Sequence, residues 1–207
     1  MSRPTKTLAA LSATAAAALL LTGCTQQAPE PLPTQAASAT PTPTPTVTIG
    51  PYEAETPKDE ATAIKDAAAA YQQFLDIRAE LNANPGDTKP LEDIAQASAL
   101  ADVEKENGDF AKAGAHTTGT VTFELDTDMS YTAPVLDGNG KTTAEHGTAT
   151  LKGCHDRSNL TLENKDGTTV KGSENNPRFK VEVIAVYNVQ QGRWYIDAER
   201  YHAEETC

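Results

Sequence analysis

The stretch from Arg178 to Val189, RFKVEVIAVYNV, places Phe179, Val181, Val183, Ala185, Tyr187 and Val189 at every second position. Neighbouring side chains of a strand point to opposite faces, so a period of two held this long demands one extended strand with an apolar face that must be covered. The chain turns at Gln190-Gln191-Gly192 into a second extended stretch, Trp194 to Tyr201, with Trp194, Ile196 and Ala198 expected on one face. Upstream, Val121, Phe123 and Leu125 alternate with Thr122 and Glu124, and Met129, Tyr131 and Ala133 continue extended up to Pro134. A tight turn is signalled at Asp137-Gly138-Asn139-Gly140, followed by a strand from Thr148 to Cys154. Asp166-Gly167 turns a short hairpin between Leu160-Thr161-Leu162 and Thr168-Thr169-Val170.

Helices that could cover such a sheet precede it. Between Thr56 and Ala83, residues Ile64, Ala68, Tyr71, Leu75, Arg78 and Leu81 recur at three- and four-residue steps, with Phe74 and Ile77 widening the stripe. Thr56-Pro57 followed by Asp59 and Glu60 suits a helix start, and Asn84-Pro85-Gly86 stops it. A second helix is expected from Pro90 to Glu106, burying Leu91, Ile94, Leu100 and Val103 and ending at Asn107-Gly108. Helices first and consecutive strands afterwards indicate an α+β fold: two N-terminal helices packed on a curved antiparallel sheet.

That order resembles the nuclear-transport-factor-2-like superfamily, which implies a cone whose sheet wraps around a helix. More narrowly, LKGCHDRSNLTL, then PRFKVEVIAVYNVQQGRWYID, then a last cysteine resemble a group of actinobacterial secreted or lipid-anchored proteins with Cys-x-Asp, Gly-x-Trp and C-terminal Cys. The superfamily's enzymes pair a general-base Asp with a Tyr or His, and no such set falls at matching positions here.

The N-terminus has another character. Arg3 and Lys6 precede an apolar run from Leu8 to Leu21 that closes on Thr22 and Gly23. That is the layout of a secretory signal, and it is short for a bilayer span, which needs about 20 apolar residues. Leu21-Thr22-Gly23-Cys24 resembles the lipobox of bacterial lipoproteins. The resemblance implies removal of residues 1–23 and a diacylglycerol on the Cys24 sulfur, which would hold the protein to the membrane, two acyl chains anchoring firmly at about 0.8 kcal/mol per buried methylene. Residues 24–57 follow as a Pro/Thr-rich stalk with little to bury, able to span roughly 100 Å when extended. Residues 58–207 are the size of one domain with one core. The chain carries a net charge of −12, and losing Arg3 and Lys6 with the signal leaves −14. Phosphate backbones and anionic headgroups repel such a surface, which argues against nucleic acid as a partner.

Cys154 and Cys207 are the other two cysteines, and in an exported chain they are expected to pair. Closing about 53 residues would stabilise the fold by about 4 kcal/mol on the chain-entropy estimate. The rival is a metal or catalytic role, but neither cysteine has CxxC-like spacing.

Reactive candidates are few. His155 and Asp156 are neighbours on a strand end and point to opposite faces. Asp156 is the weak catalytic candidate, a base if burial raised its pKa, with turn capping as the alternative. His116, His146, His155 and His202 lack zinc-ligand spacing. Asp126-Thr127-Asp128 and Asp137-Gly138-Asn139-Gly140 lack the spaced ligands of a calcium loop and read as hairpin turns. Trp194, Tyr195 and Tyr201 could stack on a sugar or fill the core. No cofactor motif and no metal site are expected. The expected protein is a lipid-anchored, extracytoplasmic envelope module that binds a protein or small ligand without catalysis. The alternative is a small cone-fold hydrolase or isomerase using a pocket carboxylate or a pocket Tyr. A closed apolar interior would favour the first, a cavity around a raised-pKa carboxylate the second.

Overall fold

The computed structural model describes residues 54–169 and 177–207. Cys24, the signal segment, the stalk up to residue 53 and Val170 lie outside the described residues. The last residues read as stalk are held by the fold: the Ala54 amide donates to Gly192 O at 2.8 Å, Tyr187 Oη donates to Ala54 O at 2.7 Å, and Pro57 is buried.

Helix α1 spans Glu60–Ala83. Asp59, not Thr56, caps it, its carboxylate accepting the Thr62 amide at 2.7 Å. One face buries Ala63, Ile64, Ala67, Ala70, Tyr71, Phe74, Leu75 and Ile77. The expected second helix is divided. Lys89–Leu91 form a 3-10 turn that continues as a turn to Ile94, Ala95 bridges Ile196 and Gln96 is extended, and α2 occupies Ala97–Ala113. The reason is a sheet edge: Ile196 N donates to Ile94 O at 2.8 Å and Gln96 N to Ile196 O at 2.9 Å, bonds a helix through 94–96 could not make. Ala97, at φ 47, turns the chain from that pairing into the helix.

Nor does α2 stop at Asn107-Gly108. Asn107 is 1 % exposed, donates to Leu81 O at 3.0 Å and accepts the Gly86 amide at 2.9 Å. A residue that often ends helices is here consumed in joining α2 to the end of α1, and Gly114, at φ 65, provides the real C-cap.

The main sheet is antiparallel and open, in the order β2 (Thr122–Leu136), β3 (Thr142–Asp156), β5 (Arg178–Asn188), β6 (Arg193–His202). A small pair joins β1 (His116–Thr118) to β4 (Thr161–Glu163). The fold is α+β, with the helices against one sheet face. Phe179, Val181, Val183, Ala185 and Tyr187 are all buried there, while Val189, beyond β5, is 44 % exposed. Gly153 permits a close approach on β3: a Cβ would stand 2.6 Å from the Phe123 ring.

Two bulges depart from the expected pattern. Asp126-Thr127-Asp128 is not a hairpin turn, because β2 continues past it: Asp126 pairs with Lys152 and Tyr131 with Thr150, so residues 127–130 loop out of the strand. Asp126 Oδ1 accepts the Asp128 and Met129 amides, and Ser130 Oγ donates to Asp126 O at 2.6 Å. Asp137–Gly140 does form the β2–β3 turn, its Asp137 carboxylate accepting the Asn139 and Lys141 amides. In β6, Ile184 pairs with Ala198 but Ala185 with Ile196, leaving Asp197 as an extra residue. Ala198 therefore does not share the face of Trp194 and Ile196. Glu199 and Tyr201, opposite Val183 and Val181, take the core side instead.

Asn107→Ala should cost about 1–3 kcal/mol, since it strips partners from a buried carbonyl and an amide. Urea denaturation measures it. A change within about 0.5 kcal/mol, the ordinary surface effect, would show that the α1–α2 link does not depend on this side chain.

Candidate functional site

The β6 bulge creates the polar centre of the fold. Gln96 Nε2 donates to Asp197 Oδ1 at 3.0 Å and Ser98 Oγ to Asp197 O at 3.1 Å, so the edge segment before α2 secures the extra residue. The displaced register points Glu199 at α1, where its side chain is 4 % exposed. Arg78 interrupts the apolar stripe of α1 and donates through Nη1 to Glu199 Oε2 at 3.0 Å and to Tyr201 Oη at 2.8 Å. Its other edge forms a bidentate pair with Glu106 of α2, Nε to Oε1 at 3.2 Å and Nη2 to Oε2 at 2.5 Å. Asn82 Nδ2 also donates to Glu106. Burial opposes the Arg78 charge, but Tyr201, Glu199 and Glu106 outweigh it and hold its pKa well above the ordinary value.

Tyr71 extends the network inward. Its hydroxyl lies 2.5 Å from Glu199 Oε1 and 2.5 Å from His155 Nε2. Glu199 accepts from Arg78 and from Tyr201 Oη at 2.7 Å, the pattern of an ionised carboxylate. Tyr71 then spends its one proton on Glu199, and His155 must donate from Nε2 to the Tyr71 oxygen. A neutral imidazole satisfies this, and burial, with Arg78 and Arg157 adding repulsion, lowers the His155 pKa to about 3. Burial and the Glu199 charge push the Tyr71 hydroxyl well above its usual range. Aromatic rings enclose the relay: Phe123 meets Tyr71 edge-on at 5.0 Å, and Phe179 meets His155 at 5.7 Å.

The centre is thus neither of the two alternatives posed by the sequence. It is polar, but its donors and acceptors are spent on one another. Among the described residues, two depressions open to solvent are formed by other side chains, and none of Tyr71, Arg78, His155 or Glu199 lines either. The larger, about 640 Å³, lies on the outer sheet face and is lined by Glu124, Asp126, Lys152, Glu182, His202 and the Cys154–Cys207 bridge, among others. The smaller, about 530 Å³, lies between the ends of α1 and α2 beside His116.

The residues singled out in the sequence scatter. Cys154 and Cys207 form a disulfide on the outer face, with their Cα atoms 6.0 Å apart. Asp156 lies on that face too, accepting the Ser158 amide at 2.9 Å and Arg178 Nη1 at 2.7 Å. The Ser158 bonds, and then the Arg178 charge, lower its pKa, which makes it a poor proton acceptor at neutral pH. His116 faces Glu163 at 3.7 Å, His146 bonds Thr132 at 2.9 Å, and His202 faces Glu205 at 3.8 Å. Trp194 is fully buried, and Tyr195 bonds Gln191 within β6 and its turn. Only His155 and Tyr201 join the central network. Tyr71, Arg78, Glu106 and Glu199 went unnoticed as a group. The available signal was Arg78, a permanent cation on a buried stripe, which requires a buried anion.

No family model matches this chain. No curated protein matches it either. Solved structures do, among them the crystal structure of the intermembrane space region of chloroplast protein ARC6, at 10% identity and a TM-score of 0.42, covering 67% of this chain and 95% of that one. No helix of the described residues is long and apolar enough to cross a membrane.

Two outcomes follow from the network. Arg78→Met strands two carboxylates and should cost about 3–5 kcal/mol in urea denaturation. Adding Glu199→Gln and Glu106→Gln should recover part of that loss, and no recovery would mean that the charges are not coupled. Acid supplies the second. Below about pH 6.5 an unfolded histidine binds a proton that folded His155 refuses until near pH 3. The unfolded state therefore binds more protons in that window, and stability falls as pH drops through it, by at most about 1.4 kcal/mol per unit from this group. His155→Gln should flatten the stability–pH curve between about pH 6.5 and 4. An unchanged slope would show that His155 titrates normally in the fold.

Proposed function

We propose that this domain is a non-catalytic binding or accessory module of a bacterial cell envelope, tethered outside the cytoplasm by a lipid on Cys24. The observation that carries the reading is the mutual bonding of the charged centre. Glu199 accepts from Tyr71, Arg78 and Tyr201, and Arg78 is clamped between two acids, so these groups are committed to one another where an enzyme would turn a carboxylate toward substrate. The open ground is the outer sheet face, where a depression of about 640 Å³ is bordered by charges of both signs, and this is the proposed contact surface for an envelope protein or small ligand. Lys152 and Glu182 there stand 3.8 Å apart, and Arg200 bonds Glu182 at 2.7 Å. A cone-type hydrolase or isomerase is the second reading, favoured by the His155–Tyr71–Glu199 relay. It requires Glu199 to shed a partner and reach solvent.

The address rests on the resemblance of Leu21–Cys24 to a lipobox and on the stalk that follows. A net charge of −14 after processing disfavours adsorption to anionic lipid, so a covalent anchor is the route to the membrane that the composition leaves open.

Cys24→Ser should move the protein from the membrane fraction to the culture supernatant, as read by immunoblotting, and retention in the membrane would overturn the anchor. For the contact surface, Lys152→Glu with Lys180→Glu should abolish cross-linking to an envelope partner that Glu199→Gln leaves intact. Equal capture by all forms would remove the outer face from consideration. Loss with Glu199→Gln alone, in folded protein, would turn the reading toward the enzyme.

A further inference from the structure

We propose that Ala203–Cys207 is a redox-released strap: the Cys154–Cys207 bridge closes one wall of the outer depression, and a dithiol reductant opens that wall without unfolding the domain. The inference rests on the proposed function only in taking the depression as the contact surface.

The strap leaves β6 after His202 and crosses back over the sheet to Cys154 on β3. All five of its residues are exposed, so it buries no apolar side chain. Its polar ties include the Lys180 amide to Glu205 O at 2.9 Å, the Glu205 amide to His202 O at 2.8 Å, and ion pairs of Glu205 with Lys180 at 3.0 Å and with His202 at 3.8 Å. The Lys180 and Glu205 side chains are more than half exposed, and pairs of that kind hold weakly against solvent. The bridge is the covalent fastening, and the ion pairs beside it are weak. His202, Glu205 and Cys207 line the depression from this side, so releasing the strap removes part of its wall.

The body of β6 is fastened separately. Trp194 and Ile196 are fully buried, Ile196 pairs with Ile94 and Gln96, and Glu199 and Tyr201 are held by Arg78. None of these contacts passes through the bridge. Segments with few buried contacts open first and alone, while the core stays closed.

Access favours one direction of attack. Cys207 is exposed, whereas Cys154 is 6 % exposed. A thiolate of the reductant attacks Cys207 Sγ, the S–S bond breaks, and Cys154 leaves as a thiolate. The second thiol of the reductant then attacks the mixed disulfide and releases Cys207. Two electrons and two protons pass to the protein, and the dithiol becomes a disulfide.

The test is hydrogen exchange on the full chain, oxidised and after dithiothreitol without denaturant, with Cys207→Ser as the variant that mimics release. The amides of Lys180 and Glu205 should exchange at least tenfold faster in the reduced protein and in Cys207→Ser, with α1 and β3 protected as before. Unchanged exchange at both amides would show that the strap holds without the bridge. Parallel loss of protection in α1 would make the bridge a staple of the whole fold, and resistance to dithiothreitol until denaturant is added would mean that its sulfurs are closed to attack. Each of these three results overturns the proposal. All are read without a partner, so the strap can fail while the outer face remains a contact surface.

Discussion

A guanidinium that cannot give up its proton sits in the last third of α1, on its buried side, and much of the structure answers to it. Arg78 is 19 % exposed at its side chain, so its lost hydration must be replaced by anions in good geometry. Glu106 must come from α2 and Glu199 from β6, and these two requirements set how both elements approach α1. The fork shape of the side chain divides the work: one edge takes Glu106 in a bidentate pair, and the remaining nitrogen reaches Glu199 and Tyr201.

This requirement also accounts for the irregular backbone nearby. An unbroken β6 would carry residue 199 to the outer face together with 195 and 197. The extra residue at Asp197 reverses the alternation, and the segment before α2 stabilises that reversal by bonding Ile196 and Asp197 from the edge. The interruption of the expected second helix and the inward turn of Glu199 are thus one event. Tyr71 and His155 complete it: with Glu199 accepting from Arg78, Tyr201 and Tyr71, the tyrosine proton is committed, and the imidazole stays neutral as a donor.

The two faces of the sheet consequently differ in kind. The inner face is closed by helices and by a network whose members satisfy each other. The outer face carries the disulfide, rows of opposite charges and a depression open to solvent. Buried contacts therefore concentrate on one side and exposed charge on the other, with β6 contributing Glu199 and Tyr201 to the first and its continuation to the second.

Periodicity alone determined the class of this fold. The alternation through Phe179–Tyr187 and the stripe through Ile64–Leu81 are local facts, legible because each element buries one face, and the cysteine pairing was legible as the expectation for the two cysteines of the folded part in an exported chain. Asp156 as a turn-capping residue was likewise within reach of neighbouring residues. Tertiary structure decided the centre. Nothing within β6 marks Asp197 as the extra residue, because the bulge is stabilised by Gln96 and Ser98, about 100 positions away in the chain. Asn107-Gly108 reads as a helix end until its partners on α1 are known. Arg78 announces a buried anion without naming it, since the choice of Glu106 and Glu199 among many acids depends on which chain segments meet, and that is a property of packing rather than of any stretch of sequence.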